Sequence, residues 1–258
     1  MGSERVAVQD GFLAVDVGST AGPTVLLLAG QSLGPQTFDG VRADLAGRFR
    51  VVVVHTRGTG ASQVPVGAWS TATFADDAVA VLDALGLARA HVYGFSMGGR
   101  VATLLAARHP ERVDRLVLGA TGPGGAHEVP RQEEVTRRMR HTASAEGLAG
   151  LLELFFTPAW IAANPEVAQR FTPRGTPRVR RAHHAASTGH DGWELLPAIA
   201  APTLVLHGAD DAMTPAANAA VLASRIPGAR SVVLPGARHG YLEEFRPQAS
   251  EAVLEFLG

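Results

Sequence analysis

The chain of 258 residues contains no cysteine and no lysine, so all 23 of its basic residues are arginine. Without cysteine it can form no disulfide, no thiolate nucleophile and no cysteine zinc site. Without lysine it can form no Schiff base, which excludes attachment of pyridoxal phosphate. It also lacks an apolar run of about 20 residues for a membrane span and the apolar core of a signal peptide. We therefore expect a cytoplasmic protein.

Charge is sparse and balanced, with 23 basic and 24 acidic residues and a formal net charge of −1. No block of like charges is present, which argues against a nucleic-acid partner and against a membrane partner. Apolar residues make up 46% of the chain, enough for a substantial interior. This length and composition suit a single globular α/β domain.

Short apolar runs alternate with helical patterns through most of the chain. The apolar runs lie at residues 12–17, 24–29, 51–54, 90–93, 113–118, 202–207 and 231–234, and the helical patterns at 36–48, 72–86, 216–226 and 246–257. Continuous apolar runs are typical of strands buried on both faces, and an Asp10-Gly11 turn predicts a hairpin near the start. The alternation predicts an α/β fold, with a mostly parallel sheet of about eight strands and helices on both faces.

The alternation stops at residue 122, and no strand-like run appears before residue 195. This segment is polar, rich in Arg and His, and interrupted by six prolines. We interpret residues 1–121 and 196–258 as the core domain and 122–195 as a helical cap. Its apolar and aromatic residues would either cover a pocket as a lid or anchor the cap to the core. They are Phe155, Phe156, Trp160, Ile161 and Trp193.

The most informative motif is Gly-Phe-Ser-Met-Gly-Gly at residues 94–99. A β-prone run at 90–93 precedes it, and an Ala/Leu-rich helical run at 100–109 follows it. A serine at such a sharp strand-to-helix turn is strained and needs small neighbours, which the flanking glycines supply. The Ser96 hydroxyl would then stand at the positive end of a helix, where a developing oxyanion is stabilised. The alternative is a glycine-rich turn with an incidental serine.

Two further segments follow buried strands and supply an acid and a base. In His-Gly-Ala-Asp-Asp at 207–211, either Asp210 or Asp211 could be the acid, and either could instead cap the turn. His239 follows the next predicted strand and is the candidate base. A serine hydroxyl needs a base to take its proton, and that base needs an orienting carboxylate. The chain order Ser, Asp, His is neither that of chymotrypsin nor that of subtilisin.

On these residues the chain resembles a single-domain α/β-hydrolase from end to end. The resemblance implies that Asp211 rather than Asp210 is the acid, because the family's acid commonly lies three residues after the glycine that ends its strand. It also implies that His239, in the stretch Pro-Gly-Ala-Arg-His-Gly, is the catalytic histidine.

The same resemblance implies an oxyanion hole made by the backbone N–H groups of Gln31 and Met97. The family usually has a His-Gly pair before the first of these donors, and this chain has Ala29-Gly30 there. The backbone donor is kept, although the loop has lost its usual histidine.

Two other positions depart from the family pattern. His55 replaces the aspartate of the stretch Asp-x-Arg-Gly-x-Gly-x-Ser, and a scaffold role for it is favoured over a place in the pocket. Arg238 precedes the predicted catalytic histidine, where it would face solvent or bind a substrate carboxylate. Arg238, Phe155, Trp160 and Trp193 are the candidate substrate contacts.

We expect a serine hydrolase that cleaves a carboxylic ester or lactone through an acyl-enzyme on Ser96, with no cofactor. We expect the substrate to be a small, largely apolar molecule. The motif at 94–99 resembles those of enol-lactonases and cofactor-free haloperoxidase-type esterases, a likeness too widely shared to identify the substrate. A metal site built from His183, His184, His190 and Asp191 is not favoured, because serine hydrolysis needs no metal.

Several further functions would be compatible with these residues. A carbon–carbon bond hydrolase and a thioesterase would use the same triad, so the sequence does not separate them from an esterase. Outside enzymes, the chain could be a ligand-binding protein with slow turnover or a fold relative recruited for cyclisation or scaffolding, because fold alone does not decide function.

Overall fold

The structure is a computed structural model that describes residues 2–18 and 20–258; Met1, where the predicted core domain begins, lies outside them. Its strands are β1 (Gly2–Val8), β2 (Gly11–Val17), β3 (Thr24–Leu28), β4 (Arg50–Val54), β5 (Ala90–Phe95), β6 (Val113–Gly119), β7 (Thr203–Gly208) and β8 (Arg230–Leu234). They form one eight-stranded open sheet in the order β1-β2-β4-β3-β5-β6-β7-β8. The pairs β1–β2 and β2–β4 are antiparallel and the other pairs are parallel. The predicted mostly parallel sheet is confirmed.

Helices occupy most of the connections between these strands. The α-helices of the described residues are α1 (Asp39–Leu45), α2 (Thr71–Ala84), α3 (Met97–Arg108), α4 (Glu133–Arg140), α5 (Ala145–Phe155), α6 (Pro158–Ala163), α7 (Pro165–Gln169), α8 (Pro177–Thr188), α9 (Ala217–Arg225), α10 (Tyr241–Glu244) and α11 (Arg246–Leu257). Short 3-10 helices lie at Pro35–Phe38, Pro110–Arg112, Gly125–His127 and Trp193–Ala198. Within the described residues, every helix is too short or too polar to cross a membrane.

Both faces of the inner strands β3 to β7 are buried, which explains their continuous apolar runs, whereas the edge strands β1 and β8 are largely exposed. In β3, Leu26 and Leu28 contribute to the core under α2 and α3, while Val25 and Leu27 contribute to the core under α1 and α11. Because successive side chains of a strand point to opposite faces, a strand covered on both sides must be apolar at every position. The predicted helices on both faces are confirmed.

The segment between β6 and β7 contains α4 to α8. Its prolines start helices as well as separating them: Pro158, Pro165 and Pro177 are the first residues of α6, α7 and α8. Proline is favoured there because its fixed φ suits the helix and the first N–H has no intrahelical partner. Among the described residues of 122–195 the extended pairing is a single bridge between Gly124 and Asp191. The division into a core and a cap at 122 and 195 stays a prediction.

The turn from β5 into α3 packs its backbone against β3. A Cβ atom on Gly98 would overlap the Leu28 carbonyl oxygen, and one on Gly94 would overlap the Gly98 carbonyl oxygen. Neither position has room for a side chain, because the atoms in the way belong to the backbone. The two flanking glycines are therefore required by close packing, as the motif predicts.

This packing predicts a large cost for Gly98→Ala. The added methyl group must displace β3 or α3, so we expect the free energy of unfolding to fall by about 3 kcal/mol or more. Urea denaturation followed by circular dichroism measures this change. Gly47→Ala is the matched control, because a Cβ there meets no atom within 4 Å. Equal unfolding midpoints for the two variants would contradict the prediction.

Candidate active site

Ser96 lies between β5 and α3 in a strained backbone conformation. Its φ of 56° and ψ of −118° are rare for any residue other than glycine. Its N–H donates to the Gly119 carbonyl at 2.8 Å, which ties the turn to the end of β6. The strain aims the hydroxyl into a cavity of about 340 Å³. Such a volume suits a small-molecule ligand.

A hydrogen-bonded row joins Ser96 to the predicted base and acid. His239 Nε2 lies 3.0 Å from Ser96 Oγ, and His239 Nδ1 lies 2.7 Å from Asp211 Oδ2. His239 and Asp211 are buried, while Asp210 is exposed and takes no part. The structure therefore brings together the three residues singled out in the sequence, from the loops after β5, β7 and β8. Such a row can move a proton from the hydroxyl to the imidazole.

The Asp211 carboxylate both caps its turn and contacts the histidine, so the two roles considered for this segment are not exclusive. Its Oδ1 accepts the N–H groups of Met213 and Thr214 at 2.8 and 2.9 Å. Burial raises the pKa of Asp211, but the charge of His239 and hydrogen bonds from His207 and His239 outweigh burial and lower the pKa to about 2. A carboxylate held in this way stays ionised at neutral pH.

His207 contacts the same carboxylate oxygen as His239, a role that was not identified in the sequence. It is fully buried at the end of β7, and its Nε2 lies 3.4 Å from Asp211 Oδ2. The same nitrogen donates to the Thr214 carbonyl at 2.7 Å, so it fixes the loop that carries the acid. The sequence feature that could have indicated this role is the position of His207 immediately before Gly208, the glycine that ends β7.

The backbone at Gln31 and Met97 faces the same cavity as Ser96. In residues 2–18 and 20–258, the N–H groups of Gln31 and Met97 donate to no protein acceptor. The loop after β3 approaches the serine closely, since a Cβ on Gly30 would lie 3.2 Å from the Ser96 Cβ. Unpaired backbone donors beside a nucleophile can stabilise a developing oxyanion. The oxyanion hole expected at these two donors stays a prediction.

A histidine of the cap fixes this loop, although the sequence suggested no such role. The Ser32 N–H donates to His183 Nδ1 at 3.0 Å, and His183 Nε2 donates to the Arg57 carbonyl at 2.7 Å. The Arg174 N–H donates to the Ser32 carbonyl at 2.7 Å, and Ser32 has a φ of 57°. Burial lowers the pKa of His183, which favours the neutral ring that this bonding requires. The residue after Gln31 is thus held from α8 and from the turn between α7 and α8.

The predicted aromatic contacts separate into one residue that lines the cavity and two that do not. Phe155 lines it, and its ring meets the His239 ring edge-on at 5.3 Å between centroids. Trp160 stacks on the buried Phe156 at 4.4 Å between ring centroids, and Trp193 stacks on His127 at 4.0 Å. Trp160 and Trp193 lie outside the cavity wall. Phe156 and Trp160 pack against a hydrophobic core cluster, whereas Phe155 faces the site.

Arg238 also lies outside the cavity wall, so the structure does not favour the substrate-contact prediction for it. Its Nη1 donates to the carbonyls of Glu153 and Phe156 at 2.5 and 3.0 Å. The Gly240 N–H donates to the Phe155 carbonyl at 2.8 Å. The loop that carries the predicted base is therefore bound to the end of α5, and the Arg238 guanidinium is occupied by that contact.

His55 has scaffold contacts, the role favoured for it from the sequence. Its Nδ1 accepts the Ala61 N–H at 3.1 Å and its Nε2 lies 3.2 Å from an Asp16 oxygen. The neighbouring Arg57 forms a buried bidentate pair with Asp77 at 2.6 and 2.7 Å. This segment therefore joins β2, β4 and α2 rather than the cavity.

The histidines considered as metal ligands have other partners. His183 bonds the two loops described above, and His190 Nδ1 contacts Thr71 Oγ1 at 3.0 Å. His184 faces the cavity. Across the described ranges, no group of three or more His, Asp or Glu side chains is arranged to hold a metal ion.

Two family models of known proteins match most of the chain. A family model described as alpha/beta hydrolase fold matches residues 23–155, and one described as TAP-like protein matches residues 175–258. RutD of Caulobacter sp. (strain K31), whose name gives carbamate hydrolysis as a provisional activity, is 33% identical over 242 residues. The match covers 91% of this chain and 90% of that protein.

Solved structures agree with these sequence matches. A hydrolase from Pseudomonas aeruginosa PA01 is 33% identical with a TM-score of 0.86, and the match covers 99% of this chain and 98% of that one. The enol-lactonase from Burkholderia xenovorans LB400 is 28% identical with a TM-score of 0.85, covering 98% and 99%. A bromoperoxidase from Bacillus anthracis, 20% identical with a TM-score of 0.85 and 99% coverage of both chains, shares the fold. The resemblance to enol-lactonases is confirmed, and the bromoperoxidase is similar in fold.

The contacts of His183 predict that His183→Leu destabilises the fold. Leucine fills the space but leaves the Ser32 N–H and the Arg57 carbonyl without partners, so we expect a loss of about 2–4 kcal/mol in the free energy of unfolding. Urea denaturation at neutral pH measures it. His184→Leu, on the exposed side of the same helix, is the control and should change the value by less than about 0.5 kcal/mol. The same small change in both variants would show that His183 does not hold the loop.

Proposed function

Because the chain belongs to the α/β-hydrolase family, we propose that it is a serine hydrolase that cleaves a carboxylic ester or lactone through an acyl-enzyme on Ser96. One observation carries the proposal: the His239 ring lies between Ser96 Oγ at 3.0 Å and Asp211 Oδ2 at 2.7 Å. Hydrolysis is also the reaction that the names of its relatives give.

In the first half of the reaction, Ser96 Oγ attacks the substrate carbonyl while His239 Nε2 accepts the hydroxyl proton. Asp211 accepts a hydrogen bond from His239 Nδ1, which selects the ring tautomer whose Nε2 is free to act as the base. Its carboxylate stabilises the imidazolium that results, and its low pKa keeps it ionised throughout. The imidazolium then protonates the leaving alcohol, and the acyl-enzyme forms.

In the second half, water replaces the alcohol. His239 takes a proton from the water, the hydroxide attacks the acyl carbon, and the proton returns to Ser96 Oγ as the acid leaves. In both halves the carbonyl oxygen becomes negative. The Gln31 and Met97 N–H groups, which have no protein acceptor in the described part of the chain, would stabilise that charge.

The ester and lactone classes follow from this chemistry and from the enol-lactonase among the similar structures. A carbamate is a second candidate substrate, favoured by the similarity to RutD, because it presents a carbonyl to the same nucleophile. Carbon–carbon bond hydrolysis and thioester hydrolysis would use the same three residues, and the contacts described for this site do not favour either of them.

The test is labelling by a fluorophosphonate, followed by intact-mass measurement. We expect stoichiometric labelling of the parent chain and none of Ser96→Ala or His239→Ala. With 4-nitrophenyl butyrate, Asp211→Asn should lower kcat/KM by about a thousandfold or more, because the imidazole tautomer is no longer fixed. Asp210→Asn is the matched control and should stay within about twofold of the parent, because an exposed carboxylate outside the row has no part in the chemistry.

An unlabelled parent with a native circular dichroism spectrum would contradict the proposal. It would favour a ligand-binding or scaffold protein instead. Labelling that survives Ser96→Ala would place the reactive group elsewhere in the chain.

A further inference from the structure

The cavity at Ser96 is lined by a group of apolar side chains and by a group of basic side chains. Leu151, Phe155, Phe171 and Met213 belong to the first. Five arginines belong to the second, and none of the described residues that line the cavity is acidic. They are Arg100, Arg131, Arg140, Arg180 and Arg181. In a chain with 24 acidic and 23 basic residues, this separation of charge sets the cavity apart from the rest of the protein.

Arg100 is neutralised within the protein. Its Nη2 contacts both carboxylate oxygens of Glu128 at 2.6 and 2.8 Å, and its Nη1 donates to the Ser187 carbonyl at 2.5 Å. These contacts use the guanidinium to hold the loop after β6 against α8. Arg100 is therefore part of the wall rather than a free anion site.

Arg131 has no such partner among the described residues. Its side chain is half-buried, and the hydrogen bond it makes runs from Nη1 to the Met139 sulfur at 2.7 Å. A thioether is a weak acceptor with no charge. Within the described ranges no carboxylate forms an ion pair with Arg131. Burial and the nearby Arg100 lower its pKa, and the charges of Glu128 and Asp211 oppose this only in part. A partly buried cation without a directly paired counter-ion is costly, and a bound anion would relieve that cost.

Three further arginines belong to the basic group that lines the cavity. Arg140 ends α4, and Arg180 and Arg181 lie on α8; none of the three forms an ion pair with a described residue. Their charges add to a field that attracts anions towards the cavity. The apolar side chains that line the same cavity would contact an uncharged part of the ligand.

From this arrangement we propose that the substrate is an ester or lactone that also carries a carboxylate, and that Arg131 binds this carboxylate inside the cavity. The inference deepens the proposed function and rests on it. A guanidinium offers two parallel N–H donors to a carboxylate, which fixes the orientation of the substrate as well as attracting it. The sequence suggested this role for Arg238, but Arg238 lies outside the cavity wall, whereas Arg131, between β6 and α4, lines the cavity and has no ion-pair partner among the described residues. The apolar side chains of the cavity fit the largely apolar substrate expected from the sequence, whereas the arginines do not.

The experiment compares two esters that differ by one methyl group: mono(4-nitrophenyl) adipate, an anion, and 4-nitrophenyl methyl adipate, which is neutral. The parent chain should hydrolyse the anion with a kcat/KM at least tenfold above that of the neutral ester. In Arg131→Met this ratio should fall by about tenfold or more, mainly through KM, because the distal carboxylate has lost its partner. Arg131→Lys, which keeps the positive charge but loses the two parallel N–H donors of the guanidinium, should give an intermediate ratio.

Arg178→Met is the matched control. Arg178 lies on α8, is exposed and does not line the cavity, so its removal should leave the ratio of the parent unchanged. Equal ratios for the parent and Arg131→Met, with Ser96 labelled by the fluorophosphonate, would overturn the anion site and leave the hydrolase function standing.

Binding of adipate, measured by calorimetry, tests the anion site at Arg131 independently of the hydrolase function. If neither ester is hydrolysed and Ser96 is not labelled, the hydrolase function fails, and adipate binding alone decides on Arg131. Binding to the parent that weakens at least tenfold in Arg131→Met would support the site. Equal affinity, or no binding to either chain, would overturn it.

Discussion

The contact between Gly98 and the Leu28 carbonyl is the constraint on which the rest of the site depends. It brings the first turn of α3 against the end of β3, so that Ser96 and the loop after β3 lie side by side. Any larger residue at Gly98 would move Ser96 and the Met97 N–H together away from the Gln31 N–H. The acid and the base follow β7 and β8, which run parallel to β5 in the same sheet, and they reach the serine because the carboxyl ends of parallel strands meet at one edge of the sheet.

The sheet and the three central site residues could be predicted because local patterns encode them. Leu26 and Leu28 face one core and Val25 and Leu27 the other, and a run that is apolar at every position already indicates burial on both faces. The choice of Asp211 over Asp210 needed the family resemblance. Its physical basis, burial and two backbone donors, becomes visible only in the fold.

The side chains that surround the three central site residues could not be predicted in the same way. Arg238 was singled out because it precedes His239 and Arg131 was not, yet Arg131 lines the cavity and Arg238 donates to carbonyls at the end of α5. The role of His183 depends on Ser32, a partner 151 residues away in the chain. Periodic patterns in the local sequence do not reveal contacts between residues so far apart. The four-residue helix at Tyr241–Glu244 is likewise too short to give a periodic signal.

The attachments of the cap have a consequence for how this protein could change its specificity. His183 bonds the loop after β3, and carbonyls at the end of α5 accept from Arg238 and Gly240 beside the histidine. An exchanged insert would therefore bring a new cavity wall and would also have to recreate these supports from unrelated residues. Substitutions at wall positions such as Arg131 avoid that requirement. In this chain, single substitutions at cavity positions therefore disturb fewer supports of the site than exchange of the whole insert would.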